Sequence, residues 1–83
     1  MLNKTTINVQ ALWDDEAQVW VASSDDVPGL ITEAETMESL LAKLRVLIPE
    51  LLQANGMMGG NEQIDIPLNL LSRRQEIIKV QAH

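Results

Sequence analysis

Apolar and polar residues alternate through residues 4–13, KTTINVQALW, with Ile7, Val9 and Ala11 on one side and Asn8 and Gln10 on the other. A period of two marks a strand with one buried face. Asp14, Asp15, Glu16 and Ala17 make a polar connector of hairpin length, and residues 18–24 read as a second strand. There Val19 and Val21 alternate with Trp20 and Ala22, so both faces carry apolar atoms. That suits a central strand, or a face shared with another subunit. Ser23, Ser24, Asp25 and Asp26 end the strand, because short polar side chains bond nearby backbone and compete with the ladder. Pro28-Gly29 is a turn pair. Proline biases Val27 toward extended backbone, and glycine takes positive φ without steric cost. A short third strand follows over residues 30–33, so the first three strands predict an antiparallel meander.

The period then changes. Met37, Leu40, Leu41, Leu44, Leu47, Ile48, Leu51 and Leu52 recur in steps of three and one, a single helical stripe within residues 37–55. Thr36 is the expected N-cap, with Glu38 in the first turn where negative charge suits the helix dipole. Pro49 removes a backbone donor and clashes with the carbonyl of Arg45, so a kink is expected there, off the main stripe. Asn55-Gly56 is a C-terminal stop, with Gly56 in the left-handed cap position. Met57, Met58, Gly59 and Gly60 read as a flexible loop, the methionine pair being a loosely packed edge rather than a soft binding surface. Ile64, Ile66, Leu68 and Leu70 alternate with Asp65, Pro67 and Asn69 as a fourth strand, and Pro67 argues for an edge or a bulge. Alternation fails at Leu70-Leu71 and apolar residues return at Ile77, Ile78 and Val80. Three continuations stay open: a bulged strand, a turn into a second pairing segment, or a short helix. A strand of this length needs a partner for its second half, and a second copy of the chain is the nearest source.

The order β-β-β-α-β predicts an α+β fold of two layers, a four-stranded mixed sheet with one long helix on one face. A crossover through the helix places the fourth strand beside the first and parallel to it. The 83 residues make one domain, residues 1–83. A chain this short buries roughly 60–65% of its unfolded surface, which leaves a monomer marginal and favours a homo-oligomer, a dimer or higher. There is no cysteine, hence no disulfide framework, thiolate zinc site or thiol nucleophile. The first residues, Met-Leu-Asn-Lys-Thr-Thr, lack a signal-peptide core and no apolar run reaches membrane-spanning length, so a cytoplasmic protein is expected, with no membrane partner.

Charge changes the picture by its distribution. The net charge is −6, and residues 5–42 contain no Lys or Arg while holding eight of the twelve acids. Such a face repels phosphate, so direct nucleic-acid binding is not expected, and it attracts a basic partner. Asp14, Asp15, Asp25, Asp26, Glu33 and Glu35 are the candidate steering residues, and Trp13 or Trp20 the candidate apolar anchor. Catalysis is not expected. Two-metal nuclease chemistry needs several carboxylates converging on two divalent metals, whereas Asp25 and Asp26 are neighbours on one loop and Asp14-Asp15-Glu16 lie in the hairpin connector. His83, the one histidine, is the last residue, and Gly59-Gly60 follows a helix where a phosphate loop precedes one. Arg73 and Arg74 fall on opposite faces of a strand and make no basic patch. No cofactor and no metal ligand set is expected.

The segment Trp20-Val21-Ala22, Asp26-Val27-Pro28-Gly29, Ile31-Thr32 and Thr36 before an amphipathic helix resembles the HicB-like antitoxin family. The resemblance spans about residues 5–70 and is greatest to a short single-domain branch, with a helix ending Ile-Pro-Glu-Leu-Leu and a last strand beginning Ile-Pro. It implies a partial ribonuclease-H-like fold without that enzyme's activity. It also implies a partner, since full HicB antitoxins block HicA, a small basic ribonuclease toxin. Leu30 and Ala34 stand where cysteine and glycine are common in the family. With the sequence ending at His83, the DNA-binding domain of full HicB proteins is not expected. Two functions therefore stand side by side: an antitoxin-type module that masks a small basic toxin, and a stand-alone oligomeric domain with a structural or small-ligand role.

Overall fold

The computed structural model describes residues 6–57 and 64–82. Strand β1 spans Ile7–Asp14, β2 Val19–Ser23, β3 Ile31–Ala34, helix α1 Met37–Ala54 and β4 Leu68–Arg73. The sheet order is β3-β2-β1-β4. β1 pairs antiparallel with β2, β2 antiparallel with β3, and β4 lies parallel to β1. The fold class, the meander and the parallel fourth strand thus stand as the sequence predicts. Lys4, Thr5, Met58, Gly59, Gly60 and His83, which also carried expectations, lie outside the described residues.

Register fixes the faces. Ala11 faces Ala22, Trp13 faces Trp20 and Ala34 faces Trp20, while Leu68 and Leu70 face Ile7 and Val9. These residues share the side covered by α1, whose Leu40, Leu44, Ile48 and Leu52 are buried against Ile7, Val9, Ala11, Ala22 and Ala34. Burial of each large apolar side chain contributes about 1.5–3 kcal/mol, so this cluster is the main source of stability. Among the described residues no layer covers the opposite side, and Leu12, Ile31 and Leu71 stand exposed there.

The ends of α1 follow their local chemistry. Thr36 has extended backbone, and its hydroxyl accepts from the Ser39 amide at 3.0 Å, so it is the N-cap. Gly56 takes φ 69°, its amide donates to Gln53 O, and the Met57 amide donates to Leu52 O at 2.8 Å. That pair of bonds is the Schellman motif. Met57 packs against the core, so it is no loose loop edge: the capping bonds turn it back under the helix. α1 runs through Pro49, which is exposed, without a break in its assignment.

Strand ends shift by one to three residues in β1 to β3, and the largest departure from the sequence reading is in β4. β4 begins at Leu68, not Ile64, because Pro67 has no amide to give the ladder; its carbonyl accepts from the Ile7 amide at 3.0 Å instead. β4 then passes through Leu70-Leu71 in continuous register with β1, with no bulge. Beyond Arg73 the three continuations considered are all absent. Residues 74–82 form neither helix nor turn nor paired strand within the chain, and each is exposed.

Candidate functional site

Strand register sorts the candidate residues to two ends of the sheet. Trp13, Asp14, Asp15, Trp20, Glu33 and Glu35 gather at the β1–β2 hairpin end, since Asp14 faces Val19 and Trp20 faces Ala34 just before Glu35. Asp25 and Asp26 sit at the other end, in the corner between β2 and β3. One continuous acidic face therefore does not form.

Asp26 has a structural task in that corner. Its Oδ2 accepts the Asn8 amide at 2.8 Å, while the Ser24 hydroxyl donates to Asn8 O at 2.6 Å and accepts from the Asp26 amide at 3.0 Å. β2 stops pairing at Ser23 opposite Gln10, so these two side chains replace the missing ladder partner of Asn8. Val27 and Leu30 are buried, and the Leu30 amide donates to Val27 O at 3.1 Å. With Gly29 at φ 84° this is the geometry of a type II turn. Asn55, at the end of α1, donates from Nδ2 to Pro28 O at 3.0 Å and ties the corner to the helix. No periodicity reveals that tie, because the two residues lie far apart in sequence.

The hairpin end is built differently. Asp14 Oδ1 accepts from the amides of Glu16 and Ala17 at 3.1 and 3.2 Å, shaping the loop. Gln18 closes it at φ 57°, a strained position for a residue with a Cβ, and its side-chain amide donates to Asp15 O at 2.6 Å. Trp13 and Trp20 are half-buried neighbours with ring centroids 5.3 Å apart at 63°, an edge-to-face contact. Trp13 Nε1 donates to Asp15 Oδ1 at 3.4 Å. The Arg74 guanidinium lies 4.0 Å from the Trp13 ring centroid and pairs with Glu76 at 2.9 Å. The sequence reading, in which Arg73 and Arg74 fall on opposite faces and make no basic patch, missed this stacking. No local pattern signals it, because the β1–β4 register, which sets Leu12 opposite Arg73, is what brings Arg74 beside Trp13.

Among the described residues, Asp14, Asp15, Asp25, Glu33 and Glu35 take part in no ion pair. Lys43 on α1 donates from Nζ to the Glu33 backbone carbonyl. The hairpin end is thus a half-buried aromatic pair with Arg74 stacked on it, rimmed by carboxylates that make no ion pair among the described residues. Among the described residues no three His, Asp or Glu side chains group as a metal site. A second feature is a groove of about 730 Å³ between α1 and the approach to β4, lined by Ile7, Leu44, Ile48, Leu52, Ile66 and Leu68 with Arg45 and Asp65 at its rim. No helix is long and apolar enough to cross a membrane among the described residues.

Comparison with known proteins adds a family and a relative. A family described as a domain of unknown function (DUF1902) matches residues 6–82. Among solved structures, a hypothetical protein, TTHA1013, from the extremely thermophilic bacterium Thermus thermophilus is 52% identical, with a TM-score of 0.66 over 90% of this chain and 99% of that one. No curated protein matches.

Proposed function

Since the chain belongs to the DUF1902 family of domains of unknown function, its role has to be read from its own surface, and we propose that it is a non-catalytic protein-binding module of the HicB antitoxin type. Its partner in this reading is a small basic protein of the HicA ribonuclease kind. The observation that carries the reading is the hairpin end, where Trp13 and Trp20 are half-buried beside the stacked Arg74 and the surrounding Asp14, Asp15, Glu33 and Glu35 carboxylates make no ion pair among the described residues. Uncompensated carboxylates raise the encounter rate with a cationic surface, and an aromatic pair supplies the desolvated centre that holds it. Asp25 and Asp26 belong to the corner at the far end and add long-range attraction only. The resemblance of the Trp20–Thr36 segment to HicB-like antitoxins points the same way.

The groove beside α1 favours a second reading, a stand-alone domain that binds a small apolar ligand. One experiment separates the two. The tagged protein is used to capture partners from its native lysate at low and high salt, and the captured protein is assayed for ribonuclease activity. The antitoxin reading expects a small basic nuclease, retained at low salt and silenced by this chain. It also expects the variant Asp14→Asn, Asp15→Asn, Glu33→Gln, Glu35→Gln to lose association rate and its salt dependence. No basic partner at either salt, or a partner indifferent to those four changes, moves the function to the groove.

A further inference from the structure

Residues 74–82 leave the sheet, and beyond Arg74, which stacks on Trp13, each residue is exposed. Ile77, Ile78 and Val80 are 91%, 81% and 87% exposed. The segment has no turn or bend, so it runs straight on from β4. The radius of gyration is 16.0 Å and the longest extent 65 Å against 21 and 18 Å across. A compact domain of this length has a radius of gyration of about 12 Å. Apolar β-branched residues on a straight, unpaired segment are a strand without a partner. β4 supplies the other half of the problem, since it is the edge of the sheet and its outer row of amides and carbonyls is open. Residues 72–76, Ser-Arg-Arg-Gln-Glu, hold no Gly, Pro, Asn or Asp to fold the segment back onto its own β4.

We propose that the segment after β4 pairs antiparallel with β4 of a second copy, reciprocally, joining two four-stranded sheets into one about a two-fold axis. Symmetry restricts the register. Facing residues of an antiparallel pair point to the same side of the sheet. A strand paired with its own copy therefore sets even-numbered residues opposite even-numbered ones. Leu68, Leu70 and Ser72 lie on the helix side, so Ile78 and Val80 of the second copy arrive on that side too.

Charge then selects among the even registers. Centring the axis on Arg74 or on Glu76 puts like charges opposite each other, which destabilises. Centring it on Gln75 puts Arg74 opposite Glu76 twice, joining the two internal Arg74–Glu76 pairs into one alternating cluster beside Trp13. In that register Val80 faces Leu70, Ile78 faces Ser72 and Ala82 faces Leu68. Val80 then lies one pleat from Leu68, at the mouth of the groove under α1. The interface is independent of the acidic hairpin end and does not rest on the antitoxin reading.

The test uses the full chain. Light scattering coupled to size exclusion is expected to give twice the 9.2 kDa chain mass. Ile78→Asp with Val80→Asp is expected to give one chain mass with the far-ultraviolet dichroism of the fold retained, because neither residue belongs to the core. Register is read by cross-linking, which a chain without cysteine allows cleanly. Facing Cα atoms lie about 4.5–5.5 Å apart, within disulfide range. Gln75→Cys is therefore expected to oxidise to a covalent dimer, while Gln81→Cys, whose facing residue is Asn69, stays uncoupled. A monomeric wild type, a dimer that survives the double aspartate change, or equal cross-linking at both positions overturns the proposal. If the double variant fails to fold, the two cysteine variants decide it.

Discussion

At the corner between β2 and β3, Gly29 holds φ 84° while its absent Cβ leaves the Leu51 methyl 3.7 Å away. Space is therefore available and backbone conformation is the constraint. Gly29→Ala is expected to cost about 1–2 kcal/mol, the penalty for an L-residue held in the left-handed region. Urea unfolding followed by tryptophan fluorescence measures it, and a loss near zero means the turn has another geometry. The residue chemistry of this corner was legible in sequence, because Pro-Gly and the serine–aspartate run encode turns locally. What Asp26 does there was not. A carboxylate that replaces a ladder partner for Asn8 looks, in sequence, like any exposed acid, since the bond joins distant positions.

At the scale of elements, α1 was readable almost to the residue. Its stripe, its Thr36 cap and its Gly56 stop are all written within a few positions of where they act. Pro49 is the exception to local consistency. It sits inside the helix, is exposed, and leaves the Arg45 carbonyl without its usual donor. Pro49→Ala is expected to stabilise the fold by roughly 1–2 kcal/mol, less than the full ~3 kcal/mol helix-interior difference because proline also restricts the unfolded chain. Calorimetric melting checks the sign. A destabilised variant means the helix needs a bend at this point to seat Leu52 against the sheet. β4 was placed correctly beside β1 but started late, because the period-two pattern over Ile64 and Ile66 continues past the point where Pro67 stops the ladder.

For the whole molecule, the uncovered sheet face and the projecting segment after β4 leave Leu12, Ile31, Leu71, Ile77, Ile78 and Val80 in water. A domain of this size has little stability to spare, and the proposed docking of that segment on a second copy would couple folding to association. The melting temperature of the wild type is therefore expected to rise with protein concentration, and that of the Ile78→Asp, Val80→Asp variant to stay constant. Melting at concentrations spanning the dissociation constant distinguishes the two. A wild type whose melting point is independent of concentration throughout leaves the exposed segment without a stabilising role.

The sequence alone determined the element order, the faces of each element, the helix caps and the α+β class, because each depends on side-chain periodicity or on chemistry a few residues away. It also set where charge is scarce and where it is dense. Only the tertiary structure decided that the acids divide between two ends of the sheet, and that Trp13, Trp20 and Arg74 stack at one of them. It also decided that residues 74–82 pair with no strand among the described residues. Those outcomes follow from strand register and sheet order, which bring together positions far apart in the chain, and no local pattern carries that information.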